Sequence, residues 1–128
     1  MFVLKFLHVF FKAMSSSTQN HPKIKIQKIE DYFKKINYGE HLILICTILS
    51  GNPTPSLEWR RADGKSLPAR SGTSKIYNGN VLEIFNFKTE DQGQYECIGR
   101  NVYGISRDTV YVKISGNSKY ENGNFKFS

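Results

Sequence analysis

The sequence predicts an all-β sandwich of two antiparallel sheets, on three observations. Apolar and polar residues alternate with period two in several short stretches, such as "KIKIQK" (23–28) and "DTVYVKI" (108–114). Turn-forming Gly, Pro and Asn-Gly combinations separate these stretches at short, regular intervals. No segment sustains the 3.6-residue apolar period of an amphipathic helix, so seven or so short strands remain to be packed face to face.

Taken in order, residues 1–15 open with an apolar run, Phe2 to Phe11, interrupted by Lys5 and His8 and followed by Ala13, Ser15 and Ser16. This resembles a secretory signal peptide with Ala13-x-Ser15 as its cleavage site. The competing reading is the start of a fragment of a longer chain. The run is too short and too interrupted to span a bilayer, so no transmembrane segment is expected. Residues 16–21 read as a polar linker, and the folded domain is expected over 22–115. Lys and Ile alternate from 23, "NYGE" (37–40) turns, and "HLILICTIL" (41–49) is a long β-prone run. "SGNPTPS" breaks that run with two prolines, and "LEWRR" (57–61) resumes the alternation up to the Asp63-Gly64 turn. Asn78-Gly79 marks the turn before "NVLEIFNF", and "QYECIGRN" leads through an Asn101–Gly104 hairpin loop into "DTVYVKI". Residues 116–128 shift to Gly, Asn and Ser and read as a flexible tail or linker, although Asn122-Gly123 has the chemistry of a small hairpin turn.

The chain's 128 residues suit one domain, with 39% hydrophobic and 13% aromatic residues to fill its core. The formal net charge is +7, but residues 41–115 carry nine basic and seven acidic side chains, close to balance. No basic stripe interleaved with aromatics appears on the folded part, so nucleic acid is not expected as a partner. The only cysteines are Cys46 and Cys97, and no histidine stands at metal-ligand spacing to either, so no metal or cofactor is expected. One structural disulfide or two buried thiols remain open.

Leu42, Leu44 and Cys46 share one face of their strand, as do Leu57 with Trp59, Leu82 with Ile84, and Tyr95 with Cys97. The order Cys46…Trp59…Asp91-x-Gly93-x-Tyr95-x-Cys97 resembles the immunoglobulin-like domains, over nearly the whole of 22–115. The cysteine separation is too small for a variable-type domain. "GNPTPSLEW", "GNVLEI" and the "RNVYG" hairpin tip are similar to the I-set, while "WRRADGKSLP" is similar to repeats of perlecan-type basement-membrane proteoglycans and lachesin-like adhesion proteins. The resemblance implies a Greek-key sandwich with an inter-sheet Cys46–Cys97 disulfide, Trp59 packed on it, and Leu82 in the core. It also gives Asp91, Gly93 and Tyr95 a structural occupation, a corner in which the tyrosine hydroxyl bonds upstream backbone. A bridge closing about 50 residues is worth roughly 4 kcal/mol and implies an oxidising compartment.

No nucleophile–base pair or phosphate-cradling loop is identifiable, so no enzyme is expected. Binding through an outward face is. On one sheet, Arg60, Ile98, Arg100 and Tyr111 are candidate partner residues. On the other, Ile43, Ile45, Val81 and Phe85 are expected to form an apolar patch covered by another domain, a second copy or the chain's own tails. Lys23, Lys25, Lys28, Lys34 and Lys35 are candidate contacts to a heparan-type glycosaminoglycan. The expected function is extracellular recognition in cell adhesion or matrix assembly, with protein partners and self-association as its modes. The alternatives are an intracellular structural immunoglobulin-like domain of the muscle-filament type and a fragment of a proteoglycan with several immunoglobulin-like domains and glycosaminoglycan contact.

Overall fold

A computed structural model describes residues 20–27, 33–115, 120–121 and 124–125. The signal-like segment 1–15, residues 16–19, Lys28 and most of 116–128 lie outside them. Among the described residues there are ten strands: β1 (Asn20–Ile26), β2 (Phe33–Ile36), β3 (Leu42–Asn52), β4 (Ser56–Arg61), β5 (Ser71–Ile76), β6 (Gly79–Ile84), β7 (Gly93–Asn101), β8 (Gly104–Ile114), β9 (Tyr120–Glu121) and β10 (Asn124–Phe125). A 3₁₀ turn at Thr89–Asp91 precedes β7. The first sheet has the order β1-β3-β6-β5 and the second β2-β8-β7-β4. The last two strands pair with each other, inside the stretch read as a linker.

Period-two patterning explains which side chains meet. Ile24 and Ile26 of β1, Leu42, Leu44 and Cys46 of β3, and Leu82 and Ile84 of β6 point inward from the first sheet. Trp59, Tyr95, Cys97, Val110, Val112 and Ile114 meet them from the second. All pairings are antiparallel except one: β2 runs parallel to β8, with Ile36 opposite Ile114. The strand also extends past its expected start, since β1 begins at Asn20 rather than after a linker ending at 21.

The Cys46–Cys97 bridge is formed, with an S–S distance of 2.10 Å, and joins β3 to β7 across the sandwich. Trp59 is the cross-strand neighbour of Cys97, while Asn80 is that of Cys46 on the opposite sheet. The Trp59 indole N–H donates to the Asn80 carbonyl at 3.3 Å. The indole thus reaches from one sheet to the other beside the disulfide, giving its polar edge a partner while its rings fill the core.

Candidate functional site: the outer faces of the sandwich

The Asp91–Cys97 corner is built by two arginines as much as by the motif itself. Tyr95 is fully buried and its hydroxyl donates to the Asp91 carbonyl at 2.6 Å. Arg61, two residues past Trp59 and on the same face of β4, sends its guanidinium into this corner. Its Nη1 donates to the Asp91 carbonyl and the Tyr95 hydroxyl, each at 3.1 Å, and its Nη2 donates to the Gln92 carbonyl at 3.0 Å. Asp63 takes the outer side of the same group, with Nη2 donating to it at 2.8 Å. The Asp91 carboxylate accepts from Arg70 Nη2 at 2.9 Å and from the Lys88 backbone N–H at 2.9 Å. Gly93 has φ +149°, and a Cβ there would stand 2.5 Å from Arg61 Nη2. The glycine therefore admits the guanidinium as well as the turn.

These contacts displace three ionisations. The Arg61 pKa is raised, chiefly by its hydrogen bond to Asp63. The Asp63 carboxyl is pulled down to about 2, first by that bond and then by the Lys65 backbone N–H. Burial pushes the Tyr95 phenol up to about 12. Arg61, Arg70, Asp91 and Tyr95 are thus all engaged in holding the chain.

The outer face of the second sheet is locked by its own charges. Glu96, almost wholly buried, is flanked by Arg60 on β4, hydrogen-bonded through Nε, and by Arg107 Nη1 at 3.8 Å. Arg100 approaches Glu58 at 3.7 Å. Arg100 and Tyr111 are exposed as expected, and Arg60 is partly so. Ile98 is a correction: expected on the accessible face, it is 0% exposed. It is flanked by Glu58 and Arg107 across the strands and by Glu96 and Arg100 along its own strand. Long side chains bury their aliphatic stems along such a residue while their heads stay at the surface.

The first sheet's outer face is open. Ile43 and Phe85 are 48% and 49% exposed, and Ile45 and Val81, cross-strand partners, are half-buried on the other side of the Ile43–Glu83 pair from Phe85. On the β5 side the neighbours of Val81 and Glu83 are Ser74 and Gly72, too small to cover the apolar residues. Phe85 stacks on the His41 ring at a centroid distance of 4.3 Å, and His41 Nε2 lies 2.7 Å from Glu83. That pair edges the patch without covering it.

The four described lysines are divided between the two sheets. Lys23 and Lys25 are exposed on β1 of the first sheet, while Lys35 is exposed on β2 of the second. Lys34 faces the other way from Lys35 and is half-buried. A cleft of about 410 Å³ lies between the β3–β4 turn and the β5–β6 turn, lined among others by Ile48, Leu57, Ile76 and Asn80. Lys75 is its one titratable lining residue, so it holds no acid–base pair. Among the described residues no three His, Cys, Asp or Glu side chains converge on a metal position, and no helix is long and apolar enough to cross a membrane.

A family model described as "Immunoglobulin domain" matches residues 21–101, well over half of the chain. The chain belongs to the immunoglobulin domain family. The boundaries of that match enclose both cysteines, Trp59 and the Tyr95 corner. Among curated proteins this immunoglobulin domain is similar to Contactin-3 of Rattus norvegicus, 45% identical over 96 residues, which is 72% of this chain and 9% of that protein. Contactin-4 of Rattus norvegicus is 41% identical over 83 residues, 65% of this chain and 8% of the relative. Contactin rig-6 of Caenorhabditis elegans is 31% identical over 110 residues, 82% and 9%. The chain thus spans less than a tenth of the length of these relatives. Among solved structures it is similar to a chimeric titin Z1Z2 functionalized with a KLER exogenous peptide from decorin, with TM-score 0.65, 18% identity, and 77% and 97% of the two chains covered. The I-band fragment I67-I69 from titin gives TM-score 0.63 at 23% identity, covering 75% and 33%. At these identities the titin structures speak for the fold alone.

Proposed function

We propose that this immunoglobulin domain is an extracellular, non-catalytic recognition module for cell adhesion, docking a protein partner through the outer face of β3 and β6. The observation that carries the reading is the open apolar surface of Ile43, Ile45 and Val81 on neighbouring strands of one sheet face, with Phe85 at its His41 edge. The opposite face offers less. A partner there must compete with the Arg60–Glu96–Arg107 cluster and the Arg100–Glu58 pair, whereas Ile43, Ile45 and Val81 have only water to lose. The likeness to contactins supports the adhesion role, and the bridged cysteines support an oxidising, extracellular setting. Lysines divided between two sheets lend no support to a continuous glycan track.

The test compares cell-surface binding of the labelled full chain with that of the Ile43→Asp/Ile45→Lys double variant, using Arg100→Glu as the second-sheet counterpart. The double variant is expected to lose at least about tenfold in affinity, as removal of a central apolar anchor does, while Arg100→Glu binds like the parent. Equal binding by the parent and the double variant moves the docking surface elsewhere. A parent that binds no cell surface removes the adhesion role.

A further inference from the structure

Beyond any face, the first sheet ends in an unprotected edge. Four strands border the two sheets, and three carry features that discourage a further strand. The β1 edge has Pro22, two lysines and register shifts between Asn20 and Ile24. The β2 edge is four residues long with two lysines, and three of the six residues of β4 are charged. By contrast β5, "SGTSKI", has one charge, no proline and an unbroken register with β6 from Ser71 to Ile76. Ser71 is partly exposed and the other five residues are exposed.

The hydrogen-bond phase of β5 shows which backbone groups are free. Phe85 N–H donates to the Arg70 carbonyl at 3.0 Å, so 70 and 85 form a hydrogen-bonded pair. Antiparallel ladders alternate, so 72/83, 74/81 and 76/79 are bonded likewise, and 71, 73 and 75 turn their N–H and C=O groups to the open edge. Ser71 N–H is already taken by the Pro68 carbonyl at 3.0 Å. Thr73 and Lys75 are left with both groups directed outward.

We infer that β5 is a self-pairing edge, which joins antiparallel to β5 of a second copy of this chain across a two-fold axis. Bonded pairs must bring outward-facing groups together, and the side chains opposite each other must share a sheet face. The register with Thr73 opposite Lys75 of the second copy meets both conditions. It gives four backbone hydrogen bonds and uses every free group of Thr73 and Lys75 on both sides. Shifting the register by two residues one way brings Ser71 into the ladder, where its N–H is already occupied, and shifting it the other way sets Lys75 opposite Lys75 of the second copy. In the favoured register Lys75 faces Thr73 and not its own counterpart, so like charges are not opposed. Ser74 meets Ser74 at the axis. Ile76, 45% exposed on the single chain, falls opposite Gly72 of the second copy, where a side chain on Gly72 would meet nothing within 4 Å in the single chain. The edge is thus complementary to itself in backbone phase, charge and side-chain volume, as a closed two-fold contact requires.

Sedimentation velocity of the full chain at physiological salt, from about 1 µM to about 1 mM, tests this. The expected result is a concentration-dependent rise from the monomer toward twice its mass. Thr73→Pro removes an N–H that the β5–β6 ladder does not use, and proline is tolerated at such an edge position. That variant is expected to stay monomeric throughout with an unchanged circular-dichroism spectrum. Ile76→Asp is expected to weaken the dimer at least about tenfold, and it decides the matter if Thr73→Pro does not fold. A parent chain that stays monomeric over the whole range overturns the inference. So does a dimer that both variants leave unweakened. Neither variant touches Ile43 or Ile45, so a failure here leaves the face-docking proposal standing.

Discussion

Arg61→Ala is the substitution whose cost is best defined by the structure. The side chain donates to the Asp91 and Gln92 carbonyls and to the Tyr95 hydroxyl, and its guanidinium carbon lies 5.2 Å from the Tyr95 ring centroid. The Asp91 carbonyl keeps the Tyr95 hydroxyl as a donor after the change, but the Gln92 carbonyl loses its guanidinium partner. The buried bond to the Tyr95 hydroxyl and the part-buried one to the Gln92 carbonyl together cost about 1–3 kcal/mol, and the lost stacking on Tyr95 adds about 1 kcal/mol. The exposed Asp63 contact adds little. The expected loss is therefore about 3 kcal/mol, measured by urea unfolding through the fluorescence of Trp59, the sole tryptophan, at constant m-value. Gly93→Ala sharpens the test. In the parent it combines left-handed strain of about 1–3 kcal/mol with a clash against Arg61 Nη2, an atom pinned by its acceptors. In the Arg61→Ala background the clash vanishes and the strain remains, so the two losses should be sub-additive by about 1 kcal/mol or more. A loss under about 0.5 kcal/mol for Arg61→Ala, or strict additivity with Gly93→Ala, would refute the picture of a corner held by that guanidinium.

Three further outcomes follow from the same contacts. The Tyr95 pKa is raised in the folded state to about 12, so its contribution is intact below the ordinary tyrosine value of 10.0 and is lost as pH climbs from there through 12. On the order of 2–3 kcal/mol should disappear over that window, and alkaline urea titrations of Tyr95→Phe should lack that increment. Reduction of the Cys46–Cys97 bridge should lower stability by roughly 4 kcal/mol, read from unfolding curves with and without a thiol reductant. Ile98→Ala should cost about 2–4 kcal/mol in thermal or urea unfolding, as a buried core truncation does, whereas Ile43→Ala on the opposite outer face should cost under about 1 kcal/mol.

The fold was legible because alternation and turn chemistry act locally and repeat along the chain. Cys46, Trp59, Leu82, Tyr95 and Cys97 could each be placed inward from their own strands, and all are buried. Arg61 carried a usable signal too: it shares a face with Leu57 and Trp59, so alternation alone points a charged side chain into the core. Its acceptors lie some 30 residues further on, and Arg70 meets Asp91 across 21 residues; no local pattern names such partners. Ile98 misled for a related reason. Alternation says which side of a strand a residue faces, but exposure depends on the neighbours across it. Strand β7 is central, and its outer neighbours are long charged side chains. The lysines read as one run along the sequence, whereas the chain changes sheets between Ile26 and Phe33 and divides the described ones, Lys23 and Lys25 against Lys34 and Lys35, between two sheets.

The two proposed surfaces bear on each other through geometry. A two-fold axis perpendicular to the first sheet keeps the outer face of each copy on the same side, and β6 of one copy then lies three strand spacings, roughly 14 Å, from β6 of the other. Two Ile43/Ile45/Val81 patches would share one continuous eight-stranded surface, separated by the small outward residues Gly72 and Ser74. Edge pairing would bring them together without covering either. A partner that presents two copies of its own site would gain by effective concentration once the edges pair, so the edge contact need not be strong to matter at a crowded cell surface. The same arrangement sets an order of dependence. Thr73→Pro should weaken bivalent binding and spare monovalent binding, while Ile43→Asp/Ile45→Lys should abolish both. A monovalent loss in Thr73→Pro would mean that the β5 edge itself contacts the partner, and the division between edge and face would then have to be given up.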